Sequence, residues 1–118
     1  MGNTNRTAGH NLEREVAKDF VQMGFQNCKT SRYASREKDD QKVDLCYTEP
    51  FNIQCKRTNQ APNFQELLSS MPQSNGYNIV IHRRPKRKGT KGAGDVAVMD
   101  KRTFYAMLYT LKRSDLLQ

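Results

Sequence analysis

The stretch VDLCYTEPFNIQCKRT, residues 43–58, decides the fold, because polar and apolar residues alternate on both sides of a short turn. A period of two predicts one strand before TEP and one after it, each with one apolar and one polar face. Asp44 lies on the polar face of the first strand, and Gln54 and Lys56 share the polar face of the second. We expect the two strands to pair through the turn and to bring these three side chains together.

Helical patterns stand on both sides of this segment. Apolar residues recur at helical spacing over residues 10–23, and Gly24 is placed to end that helix. Asn63 and Glu66 have the spacing of a capping box before a second helix, which Pro72 stops. Residues 25–33 are expected to form a short strand, and the charged residues 34–41 a solvated loop.

The last third of the chain predicts two more strands and a helix. YNIVIH, residues 77–82, is a continuous apolar-rich run of the kind found in a strand covered on both faces, so it should be central in the sheet. The basic loop 83–94 follows, then a strand over 95–99 and a helix capped by Asp100. The apolar stripe of that helix comprises Phe104, Met107, Leu108 and Leu111. The order αβββαββα predicts an α/β layered fold.

Length and charge restrict the function. The 118 residues suit one domain, which we place at 10–118 after a polar and mobile N-terminal segment 1–9. Twenty Lys and Arg against 12 Asp and Glu give a net charge of +8, which favours a polyanionic partner. No apolar run has the length of a membrane span or a secretory signal, so we expect a cytoplasmic protein that binds no membrane. Three cysteines without metal-site spacing predict reduced, buried thiols.

Glu13 is an acid within the apolar stripe of the first helix. At about 100° per residue, Glu13 lies about 40° from the centre of the stripe and faces the protein body, whereas Glu15 lies about 120° away and points to solvent. A carboxylate that faces the protein body costs several kcal/mol unless it is neutralised, paired or bound to metal. It could also lie at the stripe edge and pair with a lysine, just as Asp44 and Lys56 could belong to an ordinary solvated strand face.

Three segments together resemble one nuclease superfamily. G9-H-N-L-E13-R-E-V-A-K, V43-D44-L and I53-Q54-C-K56-R resemble the PD-(D/E)xK superfamily, and within it the archaeal-type Holliday-junction resolvases. The resemblance independently selects Glu13, as the helical geometry does. Gln54 stands where the resolvases have glutamate, but the Q-x-K pattern is similar to that of the Mrr-type restriction endonucleases.

The resemblance implies a restriction-endonuclease-like fold, with a central mixed sheet flanked by helices, and hydrolysis of DNA phosphodiester bonds to leave a 5′-phosphate. It implies Mg²⁺, with Mn²⁺ as a substitute, and no small-molecule cofactor. Asp44 and the side-chain oxygen of Gln54 would bind the metal together with the backbone carbonyl of Cys55. Lys56 would serve water and phosphate, and Glu13 would complete the site through metal or water.

The resemblance also implies a homodimer that cuts branched or duplex DNA in a bacterial, archaeal or phage-infected cell. The stripes of the second and third helices could form its interface or only the core. An assisting serine could be Ser31 or Ser35. The expected DNA contacts are Arg14, Arg32, Ser35, Arg57, Arg83, Arg84, Lys86, Arg87, Lys88 and Lys91.

Other functions remain open at this point. The chain could be an Mrr-like nuclease that acts on duplex DNA, although it has no room for a separate target-reading domain. It could also be a non-catalytic nucleic-acid-binding module or a basic RNA-associated protein. The basic loop 83–94 could track phosphates or could be only a solubilising loop.

Overall fold

Helices and strands alternate along the computed structural model, which describes residues 2–74, 76–86 and 94–116, with side chains from residue 6 onward. The elements in chain order are α1 (Gly2–Gln22), β1 (Lys29–Thr30), α2 (Ser31–Ala34), α3 (Arg36–Asp40), β2 (Leu45–Cys46), β3 (Phe51–Arg57), α4 (Phe64–Ser70), β4 (Tyr77–Arg83), β5 (Asp95–Met99) and α5 (Lys101–Arg113). The fold is therefore α/β, as the pattern predicts.

A three-stranded mixed sheet forms the centre of the fold, in the order β3-β4-β5. Strands β3 and β4 are parallel and are joined by the α4 crossover, whereas β5 runs antiparallel to β4. The apolar run 77–82 is thus the central strand, as predicted, and Val80 within it is fully buried. A separate two-stranded antiparallel sheet pairs β1 with β2.

The two faces of the mixed sheet pack against different helices. Ile53 and Ile79 belong to a cluster with Leu12 and Val16 of α1. Val80, one residue further along β4, belongs to a second cluster with Leu68 and Met71, which lie in or just after α4. Because side chains alternate along a strand, odd-numbered β3 residues face α1, and Gln54 and Lys56 face the opposite side.

Three predicted helix caps are confirmed, at Gly24, Asn63 and Asp100. Gly24 follows α1 with a φ of 114°, and the N–H of Phe25 donates to the carbonyl of Phe20 at 2.9 Å. This bond satisfies one of the last carbonyls of the helix, and the positive φ suits glycine. The side chain of Asn63 accepts from the N–H of Glu66 at 3.1 Å, and Asp100 caps α5 by accepting from the N–H of Thr103.

The expected pairing across the TEP turn is wrong. The strand before the turn shortens to β2 and pairs with β1, whereas β3 gives its full length to β4. Tyr47 has a φ of 63°, which turns the chain away from an extended course directly after β2. One backbone bond still crosses the gap, from the N–H of Asp44 to the carbonyl of Ile53 at 2.7 Å.

Three boundaries also differ from the sequence prediction. Helix α1 begins at Gly2 rather than at residue 10, because the polar segment before it contains no proline to stop a helix. The strand expected over 25–33 is reduced to β1. The charged segment 34–41 contains α3, whose N-cap Ser35 accepts a hydrogen bond from the N–H of Lys38.

The three cysteines are free thiols, as predicted, with Cys28 and Cys46 buried. Burial raises the pKa of the Cys28 thiol to about 11, so the thiol is protonated at neutral pH. Within the described ranges, every helix is too short or too polar to cross a membrane.

Candidate functional site

Asp44 is anchored at the free edge of β3. Its backbone N–H donates to Ile53, and its backbone carbonyl accepts from the N–H of Ser31 at 2.8 Å. Its carboxylate oxygen Oδ2 accepts from the backbone N–H of Cys55 at 2.7 Å. These three bonds fix the position of the side chain against residues 53–55, although the two segments form no ladder.

The backbone of Cys55 faces the same edge as Asp44. Along a strand the N–H and C=O of one residue point to the same side, and the Cys55 N–H points to Asp44. The Cys55 carbonyl is therefore directed toward the edge that holds Asp44, where the resemblance implies a backbone ligand. Burial raises the pKa of the Cys55 thiol, which leaves its sulfur protonated.

The surroundings of Asp44 disfavour its negative charge. Burial is the main cause that raises the pKa of Asp44 to about 6. The hydrogen bond from Cys55 lowers it, the carboxylates of Glu13 and Asp39 raise it, and the ammonium of Lys56 lowers it. Glu13 and Lys56 are therefore close enough to act on Asp44 electrostatically. A carboxylate held at this cost is typical of functional sites.

Glu13 faces the protein body, as predicted from the helix geometry, with only 8 % of its surface exposed. Its partner is an arginine rather than a lysine, because Nη2 of Arg32 lies 3.3 and 3.5 Å from the two carboxylate oxygens. The Nε atom of Arg32 is buried and has no hydrogen-bond partner among the described residues. Glu15 lies at the surface and pairs with Arg83.

Gln54 is the most unusual buried group of the site. It is 4 % exposed on the β3 face opposite α1, and its Oε1 has no hydrogen-bond partner within the described part of the chain. A buried amide oxygen without a partner costs about 1–3 kcal/mol. Lys56 follows on the same face and is half-buried. Glu13 and Lys56 therefore each act electrostatically on Asp44. Gln54 lies on the β3 face opposite α1, the helix that carries Glu13, and among the described residues no hydrogen bond joins Gln54 to Asp44.

Both candidate serines already have structural roles. Ser31 is fully buried, and its hydroxyl donates to the carbonyl of Val43 at 2.6 Å. Ser35 caps α3 and lines a polar cleft of about 480 Å³. Because the cleft also reaches Asn52, on the same β3 face as Gln54, Ser35 is the better placed of the two to meet a ligand.

The predicted DNA-contacting cations fall into separate groups. Arg32 lies at the site, paired with Glu13, whereas Arg14 is exposed and bonds to Asn11. Arg83 bridges Asp95 at 2.8 Å and Glu15 at 2.5 Å, so two carboxylates already neutralise its guanidinium. Half-buried Arg57 and exposed Arg84 and Lys86 complete the described group. Arg87, Lys88 and Lys91 lie outside the described residues.

Two nearby residues escaped the sequence prediction. Asp39 of α3 is, after Glu13, the second carboxylate that raises the pKa of Asp44, and Lys38 lines the polar cleft. Both belong to the run REKDD, in which every residue is an acid or a base, so that no pattern separates the two functional candidates from their neighbours. The capping spacing of Ser35 and the following turn was the available signal for the helix that positions them.

The donor set at the β3 edge fits a hard divalent cation. Mg²⁺ binds oxygen ligands and keeps several waters, so a carboxylate, an amide oxygen and a backbone carbonyl can form the protein's share. The Oε1 atom of Gln54 supplies the observation in favour, because it is a buried acceptor without a donor among the described residues. No cluster of three or more His, Cys, Asp or Glu residues with metal-binding geometry occurs in the described ranges.

No protein-family model, curated protein or solved structure matches this chain. The function therefore has to be inferred from the β3 edge and from the charge of the chain.

Proposed function

We propose that this protein is a Mg²⁺-dependent, structure-selective DNA endonuclease with a restriction-endonuclease-like fold, and that it resolves four-way junctions as a homodimer. The observation that carries the proposal is the β3 edge. The amide oxygen of Gln54 is buried on one face of this strand with no partner among the described residues, and the Asp44 carboxylate, whose pKa is raised, is fixed beside the backbone of Cys55. A buried acceptor without a donor and a carboxylate whose charge is disfavoured both favour a ligand that supplies positive charge.

In this proposal Asp44, the Gln54 oxygen and the Cys55 carbonyl would hold the metal, and Glu13 would complete the site through metal or water. Bound Mg²⁺ would polarise the scissile phosphate and lower the pKa of a water molecule. Lys56, already coupled to Asp44, neutralises the charge that develops when water attacks phosphorus and the P–O3′ bond breaks. The products are a 5′-phosphate and a 3′-hydroxyl.

Arg32 gives the site a second way to accept an anion. Its Nη2 neutralises Glu13, but its buried Nε has no partner among the described residues. A DNA phosphate can accept from such a donor, and guanidinium groups suit phosphate geometry. The net charge of +8 supplies long-range attraction to a DNA backbone without reading sequence.

The selectivity for junctions is tested by cleavage. The protein is incubated with an end-labelled four-way junction and with a duplex of matched sequence, each in Mg²⁺, in Mn²⁺ and in EDTA. We expect metal-dependent cuts in two strands of the junction and little cutting of the duplex. Equal cutting of both substrates would favour an Mrr-like duplex nuclease instead, and no cutting of either would contradict the nuclease proposal.

A non-catalytic DNA-binding module is the second candidate, and two observations favour it. Gln54 contributes no charge to a metal, and Glu13 is already neutralised by Arg32. Such a module would bind junction DNA at low salt and would leave it intact with every divalent metal. A competition between RNA and junction DNA would expose a basic RNA-binding protein.

A further inference from the structure

Tyr47, the residue directly after β2, combines two features that each cost free energy. Its φ is 63°, in the left-handed region that bulky side chains rarely adopt. The residue is also 54 % exposed, whereas its neighbours Cys46 and Thr48 are buried and pack this segment against the protein. Because a glycine would allow the same turn at a lower cost in free energy, the fold alone does not explain a tyrosine at this position.

Lys29 is the neighbour of the Tyr47 ring. Its Nζ lies 6.0 Å from the ring centroid, which is the outer limit of a cation–π contact. Within the described ranges, the Tyr47 side chain has no hydrogen bond and no other ring contact. Lys29 is exposed as well, and the β1–β2 ladder pairs it with Cys46. One exposed ring and one exposed ammonium group therefore lie side by side at the surface.

This pair lies near Asp44 on the same two chain segments. Lys29 is opposite Cys46 in the ladder, and two residues further along the N–H of Ser31 donates to the carbonyl of Asp44 at 2.8 Å. Tyr47 follows Asp44 by three residues. At about 3.3 Å per residue, the pair lies roughly 7–10 Å from Asp44. Successive bases of a DNA strand are about 3.4 Å apart, so this distance corresponds to two or three nucleotides.

Tyr105 of α5 provides an internal comparison. It is 57 % exposed, and the Nζ atom of Lys101 lies 5.7 Å from its ring centroid. Its backbone is helical, however, so this tyrosine adopts an ordinary conformation on an element that does not carry Asp44. An exposed ring with a nearby ammonium group thus occurs at both positions. Tyr47 differs by its left-handed backbone and by its closeness to the proposed site.

We infer that Tyr47 and Lys29 bind one unpaired nucleotide of a DNA substrate, with the base stacked on the Tyr47 ring and its phosphate at the Lys29 ammonium group. The inference rests on the proposed function, which makes DNA the substrate. Bases in a continuous duplex cover each other's faces, so an isolated ring on the protein surface can stack only on a base that has left the duplex stack. The pair would therefore select DNA with an unpaired base two or three nucleotides from the scissile phosphate.

Binding measured in EDTA tests the inference without cleavage. The probes are a duplex with one bulged 2-aminopurine and the same duplex with that base paired. We expect the wild-type chain to bind the bulged probe about fivefold more tightly or better, and to quench its fluorescence as the base stacks. Tyr47→Leu should lower affinity for the bulged probe about tenfold and leave the paired probe unchanged, whereas Tyr47→Phe should behave like the wild type. Lys29→Gln should reduce the salt dependence of binding by about one phosphate contact.

Tyr47→Gly separates a role in DNA binding from a role in the fold. Glycine adopts a positive φ without the steric cost of a side chain, so we expect the melting temperature to rise by a few degrees. The same variant should lose the preference for the bulged probe. These two changes have opposite signs for the protein, because stability improves while binding weakens. A fall in melting temperature together with an unchanged bulge preference would show that Tyr47 serves the fold and would overturn the inference.

Tyr105→Leu is the matched control, because it removes a similarly exposed ring beside a lysine, and circular dichroism checks that each variant is folded. This control should keep the bulge preference. Equal binding of both probes by the wild type would overturn the inference, and so would an equal loss of preference in Tyr105→Leu. If the preference depends on Tyr47 but no junction is cut, the proposed nuclease activity fails while this inference stands. If junctions are cut and Tyr47→Leu binds the bulged probe like the wild type, only this inference fails.

Discussion

The β3 edge and α5 depart from the usual burial pattern in opposite directions. At the β3 edge the chain buries polar groups, since Glu13 and Gln54 are 8 % and 4 % exposed. On α5 it exposes apolar groups, since Phe104 and Leu108 are 49 % and 38 % exposed. Both arrangements cost folding free energy. Buried polar groups are stabilised by a ligand that supplies hydrogen bonds or charge, whereas exposed apolar groups are stabilised only when another apolar surface covers them.

Substitution of Asp44 should abolish the function of the β3 edge and leave α5 unchanged. Asp44→Ala removes the carboxylate that is bonded to the Cys55 backbone, and we expect junction cleavage to fall about a thousandfold. Junction binding should be kept or strengthened, because an acid that repels phosphate is lost. Cleavage rates and gel-shift affinities measured side by side check both parts. Cleavage that survives the change would show that the site lies elsewhere.

A pair of leucines compares ordinary core with the exposed helix. Leu45→Ala empties a fully buried position, and we expect it to lower the free energy of unfolding by about 2–5 kcal/mol. Leu108→Ala should lower it by less than about 1 kcal/mol. Urea denaturation at submicromolar protein concentration measures the free energy of unfolding of both variants. A large loss for Leu108→Ala would mean that α5 packs more tightly than its exposure indicates.

The pH dependence of stability isolates the cost of Asp44. Because burial raises its pKa from 3.8 to about 6, the stability it contributes is present below about pH 4 and lost as the pH rises through about 6. At neutral pH the loss amounts to at most about 3 kcal/mol. Asp44→Asn keeps a hydrogen-bond acceptor for Cys55 and should be more stable than the wild type at pH 7 in EDTA.

Thermal melts of both proteins between pH 4 and pH 8 check this prediction. The two melting temperatures should converge toward pH 4 and separate above pH 6. A wild-type protein that stays as stable as Asp44→Asn at pH 7 would show that groups within the fold already stabilise the carboxylate. The β3 edge would then need no bound cation.

The smallest expected effect concerns metal affinity. Gln54→Glu adds a charged ligand at a position already buried beside the site, and we expect cleavage to persist at a several-fold lower Mg²⁺ concentration. Initial rates across a metal titration measure the shift, with Asn52→Asp on the same strand as a matched acidic control. Complete loss of cleavage in Gln54→Glu would show that the neutral amide itself is required.

Sequence patterns predicted the parts of the fold that depend on local chemistry. The central position of β4, the caps at Asn63 and Asp100, and the inward direction of Glu13 all follow from spacing along one element. The pairing of β2 and β3 was missed, because strand partners depend on distant segments that alternation does not identify. The ion pair between Glu13 and Arg32 was not predicted, because no sequence pattern links two residues that lie 19 positions apart.

The exposure of the apolar residues on α5 was also not predictable from the sequence. Phe104, Leu108 and Leu111 have the helical spacing of core residues, and spacing alone does not distinguish a protein core from an interface. Only the burial of Thr103 shows that the inner side of the helix lies elsewhere.

A crystal structure of the protein soaked in Mn²⁺ shows whether Asp44 and Gln54 share a metal ion. We predict anomalous density for one ion that contacts the Asp44 carboxylate and the Gln54 side-chain oxygen, with the Cys55 carbonyl beside it. An ion bound elsewhere, or a Gln54 amide that remains without any ligand at saturating Mn²⁺, would contradict it.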